Sequence, residues 1–273
     1  MSGLIKLSSP ETREFWEIPI AYEDQYLLAL DKPTGLAGTP DALEAQRPNL
    51  LSLLQAGIAE GKPWASERGL TYLMAIERLE RETSGLLLLA KTKSALETVA
   101  NFLSSEKPCK KFVALVQGSP SQEHFFVEAK IAPHPLEPGR MRIDVRGGKR
   151  ARSRFEILER FAGWTLLSCQ PLTHRMHQLR VHLQRAKLPL AGDAMYGGAP
   201  LRLSRLKAGY RLKANHSERP LMDRPALHAE EMMFPHPVLG TLITIRAPWP
   251  KDLTVAVKYL RRYAPVLNQS ASG

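Results

Sequence analysis

An uninterrupted apolar run, Leu86-Leu87-Leu88-Leu89-Ala90, constrains the fold of this chain more than any other segment. Gly85 precedes the run and Lys91 follows it. A short apolar run without polar alternation is typical of a β-strand that is buried on both faces. Because glycine tolerates a strained backbone, we interpret Thr83-Ser84-Gly85 as a tight turn that leads into this strand.

Charged residues crowd the segment just before this strand, Glu77-Arg78-Leu79-Glu80-Arg81-Glu82. A solvated charged loop is the usual explanation of such a segment. Here the charges stand directly at the start of a rigid core strand. That position favours a functional site that displays carboxylates and guanidiniums.

The rest of the chain is rich in short strand-like segments, and three segments have helical spacing. Strands are expected at 16–24, 26–32, 86–90, 111–116, 141–145, 153–158, 164–169, 226–229 and 240–245. Helices are expected at 49–55, 94–103 and 252–263, the second opening with a capping box at Ser94-Ala95-Leu96-Glu97. Without a repeat or linker, this composition predicts a single α+β domain over 1–273, with its core at about 17–264. We expect a large, mostly antiparallel mixed sheet that is flanked by helices and loops.

The chain carries a formal net charge of +11, which favours a polyanionic partner because cations that bind phosphates release condensed counterions. Solubility and an anionic membrane are the alternatives, and nucleic acid is favoured because no basic amphipathic helix stands out. Two segments concentrate this charge, a predicted basic hairpin at 133–154 and a basic loop at 199–224. The hairpin joins its strands through Gly147-Gly148. From Arg140 to Arg154, only Asp144 opposes the cations, which are Arg140, Arg142, Arg146, Lys149, Arg150, Arg152 and Arg154. A solvated hairpin is the alternative, but charge of one sign at this density favours contact with RNA or DNA phosphates.

Several classes of protein are disfavoured by what the sequence lacks. No apolar stretch is long enough for a membrane span, and residues 1–16 lack the layout of a signal peptide. Two cysteines, Cys109 and Cys169, are too few for a disulfide framework or a four-thiolate metal site, so a reducing cytoplasm is expected. His174 and His177 have a spacing that suits a metal, but no carboxylate or cysteine cluster accompanies them, so no metal is expected.

A second dense motif is Leu172-Thr173-His174-Arg175-Met176-His177-Gln178-Leu179-Arg180-Val181-His182-Leu183. On a helix, His177 and Arg180 would fall on one face, three residues apart. Further on, Asp193 lies in a glycine-rich turn, where a carboxylate most often has a structural role.

In this order along nearly the whole chain, the motifs resemble those of the RluA-type pseudouridine synthases. The similarity rests on Tyr22-Glu23-Asp24, on Asp31-Lys32-Pro33-Thr34-Gly35, on Arg78 to Lys91, on Lys110 to Gly118, on Gly148-Lys149, on His177 to His182, on Gly192-Asp193 with Tyr196-Gly197, and on Ala226-Leu227-His228-Ala229 with His236-Pro237. Each motif alone is weak, whereas the ordered set is highly specific for the fold. No S4-like RNA-binding module is expected before the core.

The resemblance implies isomerisation of uridine to pseudouridine in structured RNA (rRNA or tRNA), without cofactor or metal and with the target base flipped out of its stack. Glu80 stands where the family has its catalytic aspartate, Arg180 where an arginine pairs with that carboxylate, and Phe112 where an aromatic ring stacks on the uracil. Arg78 stands where the family's arginine fills the space that the flipped base leaves. We further expect RNA contacts from Arg140, Arg142, Lys149, Arg152, Arg175 and His177. A cytoplasmic monomer is the expected state.

The chain departs from the family pattern at the predicted site itself. Glu77 replaces a histidine, Glu80 replaces the aspartate, Phe112 replaces a tyrosine, and His174-Arg175 replaces Gly-Arg. Glutamate keeps the charge, but its extra methylene moves the carboxylate by roughly 1 Å, a displacement that can reduce a rate on the order of 100-fold. Two hypotheses follow, a working synthase that uses Glu80 and a catalytically silent relative that binds RNA as a folding or assembly factor. A DNA-binding protein without chemistry is supported by charge alone.

Overall fold

The computed structural model describes residues 3–41, 46–105, 109–212 and 216–266, which form one large sheet with helices on both faces. Its strands are β1 (Leu4–Ser9), β2 (Glu14–Glu23), β3 (Leu27–Lys32), β4 (Met74–Ala75), β5 (Ser84–Ala90), β6 (Lys110–Gln117), β7 (His124–Pro133), β8 (Met141–Ile143), β9 (Lys149–Phe161), β10 (Trp164–Pro171), β11 (Leu227–Pro235) and β12 (Leu242–Arg246). Its helices are α1 (Leu50–Ala59), α2 (Pro63–Ser66), α3 (Lys93–Ser104), α4 (Gln178–Arg185), α5 (Leu203–Leu206) and α6 (Lys251–Tyr263), with a 3-10 turn at Ala194–Tyr196.

The strand order is β1-β2-β3-β5-β11-β6-β10-β9-β7-β8, with β4 added to β5 and β12 added to β11. The β5–β11 pair is parallel, and the other named pairs are antiparallel. The predicted α+β fold with a mostly antiparallel mixed sheet is therefore confirmed.

Strand β5 is buried along its whole length, as the leucine run predicted. The predicted turn at Thr83-Ser84-Gly85 is wrong, because Ser84 and Gly85 already belong to the strand. Gly85 has a φ of 106° and lies opposite Ala229 of β11, so that a Cβ at Gly85 would stand 2.2 Å from the Ala229 carbonyl oxygen. The glycine is thus required by the close approach of two strands and not by a turn.

The N-terminal limit of the predicted core is also wrong. Strand β1 pairs with β2, and its residues alternate strictly between exposed and buried. Ile5 and Leu7 are buried in the same apolar cluster as β3 and β5. The core therefore begins near residue 5 and not near 17, because a six-residue edge strand with Lys6 and Ser8 on its outer face resembles a polar segment.

The three predicted helices are present, with changed bounds. The Asn49 side chain caps α1 by accepting the Ser52 N–H at 3.0 Å. Helix α3 is capped by Thr92, which accepts the Ala95 N–H at 3.2 Å, so the predicted capping box at Ser94 is wrong. Helix α6 packs on one face of the sheet and α4 on the opposite face.

The basic segment 133–154 is not a two-stranded hairpin. Strand β8 pairs with one edge of β7 and β9 pairs with the other, so the predicted pairing of 141–145 with 153–158 is wrong. The connection crosses β7: the Asp144 N–H donates to the Lys130 carbonyl at 2.9 Å, and a Cβ at Gly148 would lie 2.8 Å from the Lys130 carbonyl carbon. Strand β7, which the sequence patterns did not indicate, separates the two basic strands.

The basic segment 199–224 is irregular apart from α5, and its residues 213–215 lie outside the described ranges. Its two ends meet where Leu201 forms a β-bridge with Met222, and both side chains are buried.

Candidate active site

A cleft of about 640 Å³ opens between the charged loop 77–83, strand β6 and the start of α4. Six of the site residues expected from the sequence line it, namely Arg78, Glu80, Phe112, Arg175, His177 and Arg180. The volume lies in the range of small-molecule sites, roughly 300–1,000 Å³, and would admit one extruded base. The sheet thus brings together two motifs that are about a hundred residues apart in the chain, with Glu80 and Arg180 separated by 100 positions.

The 77–83 loop is fixed through its backbone carbonyls by the segment that follows β3. The Gly35 N–H donates to the Arg81 carbonyl at 2.9 Å, and the Gly38 N–H donates to the Leu79 carbonyl at 3.0 Å. The Thr34 hydroxyl donates to the Glu82 carbonyl at 3.0 Å. A loop whose carbonyls are bound on several sides can hold the carboxylate of Glu80 in a defined position.

Arg224, from the end of the basic loop, holds the same segment from the other side. Its guanidinium forms two bonds to Asp252 of α6, at 2.7 and 3.0 Å, and donates to the Glu82 carbonyl at 3.2 Å. It also donates to the Ser84 hydroxyl at 3.3 Å. This buried arginine therefore connects α6 and the 199–224 segment to the base of the 77–83 loop.

Arg180 is the centre of the polar network in the cleft. Its Nε and Nη2 donate to the two carboxylate oxygens of Asp193 at 2.8 and 2.7 Å, and its Nη1 donates to Glu80 Oε2 at 3.0 Å. The guanidinium also lies 5.0 Å from the centroid of the Tyr196 ring, within cation–π range. Burial opposes its charge, but the hydrogen bond to Asp193 and the charge of Glu80 outweigh this and raise the pKa of Arg180.

Asp193 is therefore not the structural turn residue that the sequence suggested. Its side chain is fully buried, whereas the Glu80 side chain keeps 28% of its exposure. Asp193 accepts from the Nε and Nη2 edge of Arg180, and Nη1 donates to Glu80 on the side of the cleft. This geometry orients the Glu80 carboxylate through an arginine that is itself held in place.

His177 is not on the helix, contrary to the prediction from spacing. It has a φ of 53° and precedes α4 as the capping residue. Its Nδ1 lies 2.8 Å from the Tyr196 hydroxyl, which accepts the Met141 N–H at 2.9 Å. Burial lowers the pKa of His177 and raises that of Tyr196 to about 12, so both are neutral near pH 7. The Nε2 atom of the same imidazole lies 3.9 Å from Glu80 Oε2.

Two residues before Phe112 on β6, Lys110 takes part in an ion pair that the sequence did not indicate. Glu77 pairs with Lys110 of β6, and each side chain is only 7% exposed. Burial raises the pKa of Glu77, and the charge of Lys110 opposes that effect. Phe112 itself is half-buried, packs against the apolar clusters on both sides of it, and faces the cleft.

The residues expected to bind RNA divide into two groups. Arg78, Arg175 and His177 line the cleft, and Arg140 lies at its rim with its guanidinium 5.8 Å from the Tyr196 ring centroid. Arg142, Lys149 and Arg152 do not line it. Arg142 pairs with Asp144 at 2.7 Å, and Arg152 lies 5.1 Å from the ring centroid of Phe126.

Among the residues that the structure describes, no helix is both long and apolar enough to cross a bilayer. In the same four ranges, no three side chains of His, Cys, Asp or Glu are placed to share a metal ion.

Comparison with known proteins identifies the class to which this fold and cleft belong. The family model described as RNA pseudouridylate synthase matches residues 26–185. Ribosomal large subunit pseudouridine synthase C from Salmonella typhi is 35% identical over 246 residues, which cover 90% of this chain and 70% of that protein. Synthase D from Nitrosomonas europaea is 33% identical over 254 residues, covering 89% of this chain and 65% of that protein.

Among solved structures, human RNA pseudouridylate synthase domain containing 4 superposes with a TM-score of 0.64 at 22% identity, covering 89% of this chain and 92% of that one. This likeness supports the fold. The chain belongs to the RNA pseudouridylate synthase family, and the predicted membership and isomerase class are confirmed.

Proposed function

We propose that the protein converts uridine to pseudouridine in the RNA of the large ribosomal subunit, with Glu80 as the catalytic carboxylate. The observation that carries the proposal is the hydrogen bond of 3.0 Å between Glu80 and the buried Arg180 inside the cleft. The ribosomal substrate is proposed because the similar synthases from Salmonella typhi and Nitrosomonas europaea are named for the large ribosomal subunit. A tRNA substrate, also expected from the sequence, is the alternative.

In this reaction the bond between uracil N1 and ribose C1′ breaks, a bond between uracil C5 and C1′ forms, the C5 proton is released, and N1 takes up a proton. Glu80 acts on the ribose, either as the nucleophile at C1′ or as a base. The base reaches Glu80 only after it leaves the RNA stack, and Phe112 stacks on it in the cleft. Stacking of a base on an aromatic ring contributes about 1–3 kcal/mol.

The glutamate at position 80 is compatible with this role because its longer side chain still meets the family's arginine. Asp193 and Tyr196 hold Arg180 from one side, which leaves Nη1 directed at Glu80. The extra methylene is therefore taken up between the loop and the helix without loss of the carboxylate–guanidinium contact. This supports a working enzyme over a silent relative.

RNA contacts are proposed for the cationic and imidazole groups at the cleft. Arg78 is exposed at the mouth and donates to the Pro40 carbonyl at 3.2 Å, so it can enter the space that a flipped base leaves. Arg175 and Arg140 provide charge for phosphates at the rim, and His177 lies beside Glu80. Such phosphate contacts would fix the position of the RNA without reading its sequence.

The test is release of tritium from RNA labelled at uracil C5, with wild type, Glu80→Gln and Glu80→Asp compared under single-turnover conditions. Wild type should release tritium, and Glu80→Gln should be slower by roughly 1,000-fold or more, as for loss of a group that acts on the reacting atoms. Release by Glu80→Asp but not by wild type would contradict the enzyme proposal and leave an RNA-binding protein. Equal release by wild type and Glu80→Gln would show that another group is the catalytic carboxylate.

We also infer a cytoplasmic, monomeric protein. The two cysteines, Cys109 and Cys169, are free and buried, which supports a reducing compartment. Cell fractionation and sedimentation at micromolar concentration would test the location and the oligomeric state.

A further inference from the structure

A row of cations lies on the sheet face that is turned away from the cleft. In the β7–β9 ladder, Lys130 stands opposite Arg150, Glu128 opposite Arg152, and Phe126 opposite Arg154. Directly opposed residues of an antiparallel pair project from the same face. The alternate residues Ala151, Ser153 and Phe155 are buried against α4, on the cleft side of the sheet.

Strand β8 extends this row at the edge of the sheet. Arg142 is paired in register with Ala132, which lies two residues beyond Lys130 on the same face of β7. We call the surface formed by Phe126, Lys130, Arg142, Arg150, Arg152 and Arg154 the far face. It belongs to the same side of the sheet as α6, since Gln170 of β10 stands opposite Arg154 and Leu166 of β10 packs on α6.

No helix or strand of the described part of the chain covers the far face, although α6 covers other strands on that side of the sheet. Helix α6 packs on Val113, Leu115 and Leu166 and reaches β9 only near its C-terminal end, where Arg261 pairs with Glu159 at 2.7 Å. Phe126 is 54% exposed, and the side chains of Arg142, Arg150 and Arg152 are 43%, 56% and 39% exposed. The side chains of the far face are therefore exposed to solvent and are not buried under a helix.

Cations outnumber carboxylates on this surface. Glu128 is the carboxylate between the strands, and it is shared by Arg150 at 3.1 Å and Arg152 at 3.8 Å. Asp144 pairs with Arg142 at the edge, and Glu156 lies further along β9 beside His124. Five cations thus face three carboxylates, and the excess of positive charge favours an anionic partner.

An aromatic ring stands among these cations, which makes the partner more specific. The Arg152 guanidinium lies 5.1 Å from the Phe126 ring centroid. Single-stranded RNA is bound by this combination of groups, because bases stack on aromatic rings and guanidinium planes while cations follow the phosphates.

We propose that the far face is a second RNA-binding surface, for the part of the substrate RNA that continues from the cleft around strand β8. This rests on the proposed function, which supplies the RNA in the cleft. Pro138 and Gly139, in the β7–β8 connection, line the cleft, and Arg140 lies at its rim. Arg142, two residues later, is already on the far face, so one strand of RNA can pass over this edge without leaving positive charge.

The test compares equilibrium binding of two RNA probes, a short stem-loop that fits the cleft and a transcript of a whole large-subunit RNA domain. The variant is Lys130→Ser/Arg154→Ser, in which neither residue forms an ion pair with a carboxylate of the described ranges. The control is Lys251→Ser/Lys258→Ser on exposed positions of α6, with the same loss of charge.

The far-face variant should weaken binding of the long RNA relative to the stem-loop on the order of tenfold. For the long RNA, the slope of log binding constant against log salt concentration should become shallower by about 1–2. The control should change that ratio less than about twofold. Equal loss on both probes, no loss on the long RNA, or an equal effect of the control would overturn the proposal. Because RNA binding is measured without turnover, the binding comparison can be interpreted even if wild type releases no tritium.

A second measurement uses wild-type protein and so does not depend on the folding of the double variant. Wild-type protein is cross-linked to the long transcript substituted with 4-thiouridine, and the attached peptides are identified by mass spectrometry. Cross-links at Phe126 or elsewhere on β7 and β9 support the far face. Cross-links confined to the residues of the cleft would contradict it.

Discussion

Arg180 makes three hydrogen bonds with two carboxylates, and the two carboxylates have different roles in the cleft. Two bonds go to the buried Asp193 and one to the partly exposed Glu80. Because Asp193 binds two N–H groups, it fixes the plane of the guanidinium, and the N–H of Nη1 that meets Glu80 therefore points in a fixed direction. Asp193 is thus a positioning residue that acts on Glu80 through Arg180.

We predict that Asp193→Asn lowers kcat on the order of 100-fold with little change of KM, because Arg180 loses its anchor and misplaces Glu80. The free energy of unfolding should fall by about 2–3 kcal/mol, as expected for a lost hydrogen bond between charged groups. Single-turnover kinetics and urea unfolding measure the two effects. The exposed Asp223→Asn serves as control, and a variant with normal kcat but reduced stability would show that Asp193 is only structural.

The residues that belong to sequence motifs could be predicted as parts of the cleft, whereas the residues that they contact could not. Glu80, Phe112 and Arg180 do line one cleft, as the ordered motifs implied. Asp193 was missed because its glycine-rich surroundings suggest a turn, and nothing in a turn motif indicates which cation its carboxylate meets. The Glu77–Lys110 pair was missed for a related reason, since two charges 33 positions apart give no sign that both are buried.

At the scale of elements, the contact of β5 with β11 places the strictest demand on the sequence. Gly85 stands against the Ala229 backbone at the only parallel pairing among the named strands. The 77–83 loop leads directly into this strand, so the fit of the two strands supports the position of Glu80.

We predict that Gly85→Ala lowers the free energy of unfolding by about 3 kcal/mol or more, since strain at positive φ alone contributes about 1–3 kcal/mol and the new Cβ meets backbone. Chemical denaturation measures the change. Gly147→Ala is the matched control, because its Cβ would meet only the Asp144 side chain, at 3.7 Å, and a change within about 0.5 kcal/mol is expected. Similar effects of the two substitutions would contradict the account of the β5–β11 contact.

Strands were predictable where their own pattern is strong, and their pairing was not. The buried β5 and the alternating β2 were evident, whereas β1 and β7 were missed because charged or small residues interrupt their apolar pattern. Once β7 is overlooked, β8 and β9 are neighbours in the sequence and a hairpin is the simplest pairing. The actual order places β7 between them, a long-range arrangement that local turn residues do not encode.

At the scale of the whole molecule, one buried cation links the stability of the fold to pH. Lys32 has no exposure, and its ammonium donates to the carbonyls of Pro33 and Leu36 at 2.8 and 2.7 Å and to that of Arg81 at 3.4 Å. Burial, with the nearby charge of Arg224, lowers the pKa of Lys32 to about 7, although Glu82, Glu80 and Asp31 oppose this. The unfolded chain keeps a value near 10.4.

Between about pH 7 and pH 10 the unfolded state therefore binds a proton at Lys32 that the folded state does not, so the free energy of unfolding should rise with pH. We predict that the stability of wild type relative to Lys32→Met increases by up to about 1.4 kcal/mol per pH unit across this window. Urea unfolding at several pH values tests it, with exposed Lys251→Met as control. A difference that stays constant would show that the carbonyls keep Lys32 protonated.

The net charge of +11 was visible in the sequence, but its distribution over two faces was not. Which cations of β9 lie on the far face depends on the odd or even position of each residue in that strand and on the order of strands. Only the folded sheet separates Arg140 and Arg175 near the cleft from Arg150 and Arg152 on the far face.

We propose above that this chain, with a glutamate at position 80, modifies uridine in large-subunit RNA. Carbodiimide mapping at nucleotide resolution tests it directly on large-subunit RNA transcribed in vitro and incubated with wild type or Glu80→Gln. We predict new pseudouridine at one or a few defined uridines with wild type and at none with Glu80→Gln. The absence of pseudouridine with both proteins, or the same sites with both, would contradict the claim.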